Sequence, residues 1–207
     1  MTSRVHLVLA AACLATSATA LLIATPHAAA YPRPSAVPQR WALEFAPGEL
    51  RLHVDDADGR AYWFFTFTVT NRTGQDQIFA PEFTLYADSG AILPSGRDVP
   101  TRVEQELLEL LGNDLMETQN QIVGEIRQGP GNARDGLVVW PAESLEVNEM
   151  SLFIAGISGD TAAVIPPGGD RPVILRKTLQ RDYLVPGNAL ARRRLAADLV
   201  AERWIFR

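Results

Sequence analysis

A run of carboxylates ending in glycine, Asp55-Asp56-Ala57-Asp58-Gly59, has the clearest chemical potential in this sequence. Closely spaced carboxylates can wrap a hard cation such as calcium, because the glycine permits a sharp turn that directs several oxygens inward. The spacing departs from an EF-hand loop, since Thr66 stands where a bidentate glutamate is needed. The same residues suit a hairpin turn. The pattern favours the turn, and the alternative is a calcium site at Asp55, Asp56 and Asp58.

Two aromatic residues, Tyr62 and Phe64, share one face of the segment that follows this run, beside threonines that suit hydrogen bonding to hydroxyl groups. Such a pair on an open sheet is a platform on which a sugar ring can stack. Alternatively, the face is covered, either by a helical segment or by Trp140 or Trp204. Sheets with aromatic residues on both faces favour the covered arrangement.

The segment 127–136, RQGPGNARDG, is rich in glycine and carries charged side chains. Glycines reduce the cost of rearrangement, so the segment is a candidate for a mobile binding element that contacts a ligand through Arg127, Arg134 and Asp135. The alternative is a surface connection between strands.

Nucleophilic catalysis has little support in the sequence. The chain has one cysteine, Cys13, and three histidines, of which only His53 lies beyond residue 30. If the first thirty residues are removed, a cysteine nucleophile and a tetrahedral zinc site of His and Cys are excluded. His53 sits among strand residues on the predicted solvent face, and no G-x-S-x-G motif accompanies it.

The first thirty residues predict export. Arg4 precedes an almost uninterrupted apolar run over residues 5–24, and Ala28-Ala29-Ala30 supplies a small-residue cleavage site. The alternatives are an uncleaved membrane anchor and a lipid attached at Cys13. Each of them places the rest of the chain outside the cytoplasm, in the periplasm, at the cell surface or in the medium.

Charge limits the class of partner. The chain carries 24 acidic and 19 basic residues, a net charge of −5, with one short basic run at 192–194. A mildly acidic chain without a concentrated basic face is a poor candidate for binding nucleic acid or an anionic membrane. The predicted partner is another protein, and the only predicted membrane contact is the N-terminal segment, if that segment is retained as an anchor.

Period-two alternation dominates from Trp41 onward and predicts strands. The clearest is AYWFFTFTVTN over residues 61–71, which places an apolar row on one face: Trp63, Phe65, Phe67 and Val69. Residues 31–40 contain three prolines and predict an extended tether. In the middle of the chain, Thr101 and Glu104 form a capping-box pattern that predicts a helix over 102–111, and a weaker pattern predicts another over 115–126.

The stretch FTFTVTNRTG resembles the strand-and-turn pattern of immunoglobulin-like sandwiches in exported bacterial proteins. The resemblance implies an immunoglobulin-like fold. The series of short strands predicts one mainly β, antiparallel sandwich over residues 41–207, with a helical insertion around 101–126. It differs from antibody-type domains, because the paired cysteines are missing. A fold of this kind does not define an activity.

These observations together predict an exported, non-enzymatic β-sandwich that acts through protein contacts at the cell envelope and needs no cofactor. Two alternatives remain open. One is a module that binds carbohydrate or calcium, and the other is a hydrolase that uses carboxylates, since Asp and Glu are the well-supplied catalytic groups.

Overall fold

A computed structural model of the protein describes residues 31–207. The predicted signal peptide over 1–30, with Cys13 and two of the three histidines, lies outside the described residues. Within residues 31–207, no helix is both long and apolar enough to cross a bilayer.

The described chain is mainly β. Its strands are β1 (Glu44–Val54), β2 (Ala61–Thr70), β3 (Gln77–Phe79), β4 (Glu82–Ala87), β5 (Ile92–Pro94), β6 (Met116–Thr118), β7 (Gly124–Ile126), β8 (Arg134–Pro141), β9 (Glu149–Ala155), β10 (Thr161–Val164), β11 (Val173–Leu184) and β12 (Asp198–Phe206). Its helices are α1 (Thr101–Leu111), α2 (Gln119–Ile122) and α3 (Ala189–Arg192).

The strands form two larger sheets and one small one. The four-stranded sheet has the order β1-β2-β8-β6, and the six-stranded sheet has the order β10-β11-β9-β4-β5, with β12 paired to β11. Leu179 pairs with both Ile154 of β9 and Trp204 of β12, so these two strands lie on opposite sides of β11. Apart from the parallel pair β6–β8, both sheets are antiparallel.

The main core lies between the two larger sheets, an arrangement consistent with a β-sandwich. The apolar row predicted for β2 is confirmed, because Trp63, Phe65, Phe67 and Val69 are all at most 3% exposed and belong to one cluster. The six-stranded sheet contributes buried residues from four of its strands, β4, β5, β9 and β11: Phe83, Leu85, Leu93, Met150, Leu152, Ile154, Leu179 and Tyr183. Alternation along each strand therefore directs one face of each sheet inward.

Helix α1 packs on the outer face of the four-stranded sheet. It spans the region where a helix is predicted, but its N-cap is Pro100 and it has no side-chain cap. Val103 and Leu107 form a second apolar cluster with residues of β2 and β8. Strand β2 is thus buried on both faces, which explains its aromatic residues on both.

The prediction of a second helix over 115–126 is wrong. Only α2 is helical there, and it is flanked by β6, which pairs with β8, and by β7, which pairs with β3. The polar run 117–121 lacks the apolar stripe that a longer helix needs for packing. Neighbouring strands instead satisfy the backbone groups of the two flanking segments.

The segment predicted as a tether is fastened to the domain. Backbone N–H groups of Gln39 and Arg40 donate to the carboxylate of Asp160, at 3.0 and 2.8 Å. The hydroxyl of Tyr31 donates to the carbonyl of Phe206 at 2.9 Å. Residues 31–40 therefore belong to the same compact unit as the strands.

Candidate functional site

The acidic run forms a closed turn. The Asp55 carboxylate accepts the N–H of Ala57, and Arg102 of α1 contacts Asp55 at 2.5 Å and Asp58 at 3.5 Å. The guanidinium of Arg102, followed by the Ala57 N–H, lowers the pKa of Asp55 to about 2. The positive charge next to Asp55 and Asp58 is therefore the guanidinium of Arg102.

The calcium alternative at Asp55, Asp56 and Asp58 is therefore not supported. Asp56 points away, 91% exposed, toward Arg193 at 3.4 Å. In residues 31–207 no group of three or more His, Cys, Asp or Glu side chains is arranged to hold a metal ion. The structure has the turn instead. Asp55 and Asp58 accept backbone N–H groups within it, and both also contact Arg102 of α1.

The sugar platform at Tyr62 and Phe64 is also corrected. Tyr62 is 0% exposed and Phe64 is 5% exposed, because Val103 and Leu107 pack over them. A ring that is covered in this way offers no face to a ligand, so the covered alternative describes this sheet.

The charged residues predicted in loop 127–136 do not form one site. Arg134 binds Glu117 through two contacts of 2.6 Å, and Asp135 accepts from Thr68 at 2.6 Å and from Asn113 at 2.8 Å. Both residues lie at the start of β8 and hold the segment after α1 against the sheet. Arg127 is exposed, and its nearest carboxylate, that of Glu125, is 3.8 Å away.

A cleft of about 610 Å³ lies between β1 and α1. His53, predicted as a solvent-facing strand residue, is on the outer face of β1, but only 12% of its side chain is exposed. Its Nε2 lies 3.2 Å from Oε1 of Glu106. Glu109 of α1 and Asp56 of the turn after β1 line the same cleft, so carboxylates from two elements share it with the histidine.

The outer face of the six-stranded sheet forms a second candidate site, which sequence reasoning missed. We name it the arginine–aromatic face and define it by Tyr86, Phe153, Arg176, Arg203 and Arg207. Clefts of about 210 and 390 Å³ open on it, and among residues 31–207 strands β4, β9, β11 and β12 with Arg207 supply their lining side chains. Within residues 31–207, no helix residue contributes to either of these two clefts. A further cleft of about 540 Å³, at the β12 edge, is lined by Arg203 and Arg207 together with residues 31–34.

Arg207 is held over two aromatic rings. Its guanidinium lies 4.4 Å from the ring centre of Phe153 and 4.8 Å from that of Tyr86. These rings pack edge-to-face at 4.9 Å, and the Tyr86 hydroxyl accepts a hydrogen bond from the guanidinium. The backbone of Arg207 exchanges two hydrogen bonds with Arg176, at 2.8 and 3.0 Å. Cation–π attraction and backbone pairing together fix this side chain.

The two other arginines of the face are ion-paired. Arg176 lies 3.3 Å from Glu82, and Arg203 lies 2.8 Å from Asp182, which also accepts from Ser151 at 2.6 Å. Among residues 31–207, Arg207 has no carboxylate within ion-pair distance. The site therefore combines the guanidinium of Arg207, the aromatic surface beside it and two ion pairs.

One signal for this face is present in the sequence. In EMSLFIA, the alternation that directs Leu152 and Ile154 inward necessarily directs Phe153 outward. The closeness of Phe153, Tyr86 and Arg207 has no local signal, because three separate strands create it.

No family model matches this chain, and neither the curated proteins nor the solved structures include a significant match.

Proposed function

We propose that this protein is exported and acts at the cell envelope as a non-enzymatic β-sandwich of immunoglobulin-like type that binds another protein. The arginine–aromatic face is the proposed contact surface. Export is supported by the composition of residues 1–30, with their apolar run and small-residue end.

The observation that carries the proposal is the packing of Arg207 on Phe153 and Tyr86 at an open sheet surface. Aromatic residues and arginine are enriched in the centres of protein interfaces and supply most binding hot spots. Both rings are half-buried, so they retain area that a partner can cover. Because these side chains are already held in place, less side-chain entropy is lost when a partner binds.

The difference between the two sheets supports the choice of surface. On the four-stranded sheet, α1 covers the aromatic residues and makes them part of a core. On the six-stranded sheet, among residues 31–207, the clefts at Phe153 and at Asp182 are lined by strand residues and Arg207, with no helix over them. A sheet face that carries aromatic side chains and that no helix of residues 31–207 covers is the arrangement expected of an interaction surface.

Site-specific crosslinking in the cells that make the protein tests the proposal. We expect p-benzoylphenylalanine in place of Phe153 to give a discrete protein adduct on irradiation. The matched control carries the same group in place of Leu110, which is 68% exposed on α1, and should give none. Equal adducts from both positions, or none from Phe153, would refute the assignment of this face.

The cleft at His53 favours a second candidate function, a hydrolase that uses carboxylates. Glu106 and Glu109 are one helical turn apart, and both line the cleft together with Asp56. Turnover of nitrophenyl glycosides or esters that Glu106→Gln abolishes and Glu125→Gln preserves would support this function. A chain that turns over none of these substrates argues against it.

A further inference from the structure

We propose that the smaller cleft of the arginine–aromatic face binds a carboxylate side chain, so that the partner presents an acidic segment. This inference rests on the proposed function and adds the chemistry of its contact. The cleft is lined by Glu82, Thr84, Phe153, Ala155, Arg176, Thr178 and Arg207.

The size of the cleft suits one side chain. Its volume of about 210 Å³ is below the roughly 300–1,000 Å³ of sites that enclose a small molecule. Three of its lining residues are nearly buried, with Thr84 at 9%, Thr178 at 3% and Ala155 at 9% exposure. A side chain that enters from a partner thus meets the hydroxyl and methyl groups of these residues, with two arginines beside them.

Arg207 is prepared to receive a carboxylate. A guanidinium offers paired N–H donors that match the two oxygens of a carboxylate, and these bonds are among the stronger ones in proteins. The rings of Phe153 and Tyr86 hold one side of the group and keep water from it. Since the group is already fixed, little side-chain entropy remains to be lost on binding.

Arg176 supplies a second cation at the cleft, next to Arg207, because the backbones of the two residues are paired directly. It is engaged with Glu82 at 3.3 Å, but both side chains are exposed, at 48% and 67%. Exposed ion pairs of this kind contribute little, so an incoming carboxylate can replace Glu82. Loss of the Glu82 charge should therefore strengthen binding.

The charge of the face agrees with an acidic partner. At the smaller cleft itself, Arg176 and Arg207 stand against one acid, Glu82, whereas the whole chain carries −5. A locally positive surface on an acidic protein favours encounter with an acidic segment and repels other orientations.

A fluorescent dodecamer of glutamate is the probe, and its anisotropy is titrated with the full chain at low and at physiological salt. We expect Arg207→Gln to weaken binding on the order of tenfold, the loss of one charged hydrogen-bonded contact. Arg207→Lys should also weaken it, because the planar pair of donors is lost while the charge remains. Glu82→Gln should tighten it.

Arg127→Gln is the matched control, since it removes the same charge from an exposed site away from this face. Equal weakening by Arg127→Gln and Arg207→Gln, or failure of the glutamate probe to bind, overturns the carboxylate site. Binding of polygalacturonate in preference to the glutamate probe overturns the acidic-peptide assignment in favour of an acidic polysaccharide. Circular dichroism and thermal unfolding of each variant, compared with the wild type, exclude misfolding as the cause.

The two proposals fail in different ways. A protein adduct from position 153 without any effect of Arg207 or Glu82 variants leaves the contact function standing and removes the carboxylate site. Absence of the adduct removes the contact function itself.

Discussion

The ammonium of Lys177 lies 3.2 Å from the carboxylate of Asp160, with side chains that are only 3% and 5% exposed. Lys177 also donates to the carbonyl of Ser35 at 3.0 Å, and Asp160 accepts the N–H groups of Gln39 and Arg40. Burial alone raises the pKa of Asp160, but these two N–H groups and Lys177 outweigh it and lower the pKa. One buried ion pair therefore fastens residues 31–40 to the sheet.

Lys177→Met should destabilise the protein by about 3–5 kcal/mol, because it leaves the Asp160 carboxylate buried without its counter-charge. Urea unfolding measures the loss. Arg176→Met is the matched control, since its ion pair with Glu82 is exposed and should contribute about 1 kcal/mol or less. Equal costs for the two variants would contradict the role of the buried pair.

The same variant should loosen the N-terminal segment. With Lys177 removed, Ser35 loses its bond, and the chain around Arg40 should become accessible to trypsin. We expect faster cleavage after Arg40 in Lys177→Met than in Arg176→Met under native conditions. Unchanged cleavage would mean that Tyr31 and the Asp160 contacts hold the segment without the lysine.

Acid should weaken the contact between Asp55 and Arg102. The folded pKa of Asp55 is about 2, against an ordinary value of 3.8, so the unfolded chain takes up the proton first as pH falls. The stabilisation is complete above the ordinary pKa and declines as pH falls through about 4 toward 2. In denaturant unfolding, the advantage of the wild type over Arg102→Met should shrink across this window.

Arg127→Met serves as the comparison for that experiment, because Arg127 lies 3.8 Å from Glu125 at an exposed position. The free energy of unfolding of Arg127→Met should stay close to that of the wild type at every pH. An Arg102→Met difference that stays constant down to pH 2 would show that Asp55 does not titrate through this contact.

Truncation of Leu107 tests how α1 is attached. Leu107 is fully buried against β2 and β8, so Leu107→Ala should cost about 2–5 kcal/mol through lost burial and a residual cavity. Leu110→Ala changes the same side chain on the same helix at 68% exposure, and its effect should stay within about 0.5 kcal/mol. Thermal or urea unfolding distinguishes the two.

Gly136 provides space for an aromatic ring. A Cβ at this position would lie 2.2 Å from the ring of Phe67, which is packed against Phe45 at 5.0 Å. Gly136→Ala should therefore cost about 1–3 kcal/mol by forcing the ring to shift. Gly131→Ala, where no atom lies within 4 Å, should be close to neutral in the same unfolding measurement. A neutral Gly136→Ala would mean that the ring moves freely.

The local sequence pattern predicted those elements whose conformation depends on neighbouring residues. The alternation in β2 predicts the buried row Trp63 to Val69, and the apolar spacing after Pro100 predicts α1. Period two and period 3.6 are properties of the backbone itself, so a single segment reports them. The turn at residues 55–59 follows in the same way from short polar side chains and glycine.

Tertiary structure alone decided which of these segments meet. Tyr62 and Phe64 form an alternating platform in the sequence, but α1, some forty residues later, covers them. Arg207 reaches Phe153 because β11 lies between β9 and β12 and aligns both with one register. Such contacts depend on which distant strands pair and in which register. The residues next to each side chain in the sequence do not determine either. The strands and their inward faces were thus readable from residue order, whereas the arginine–aromatic face arose only when the sheet assembled.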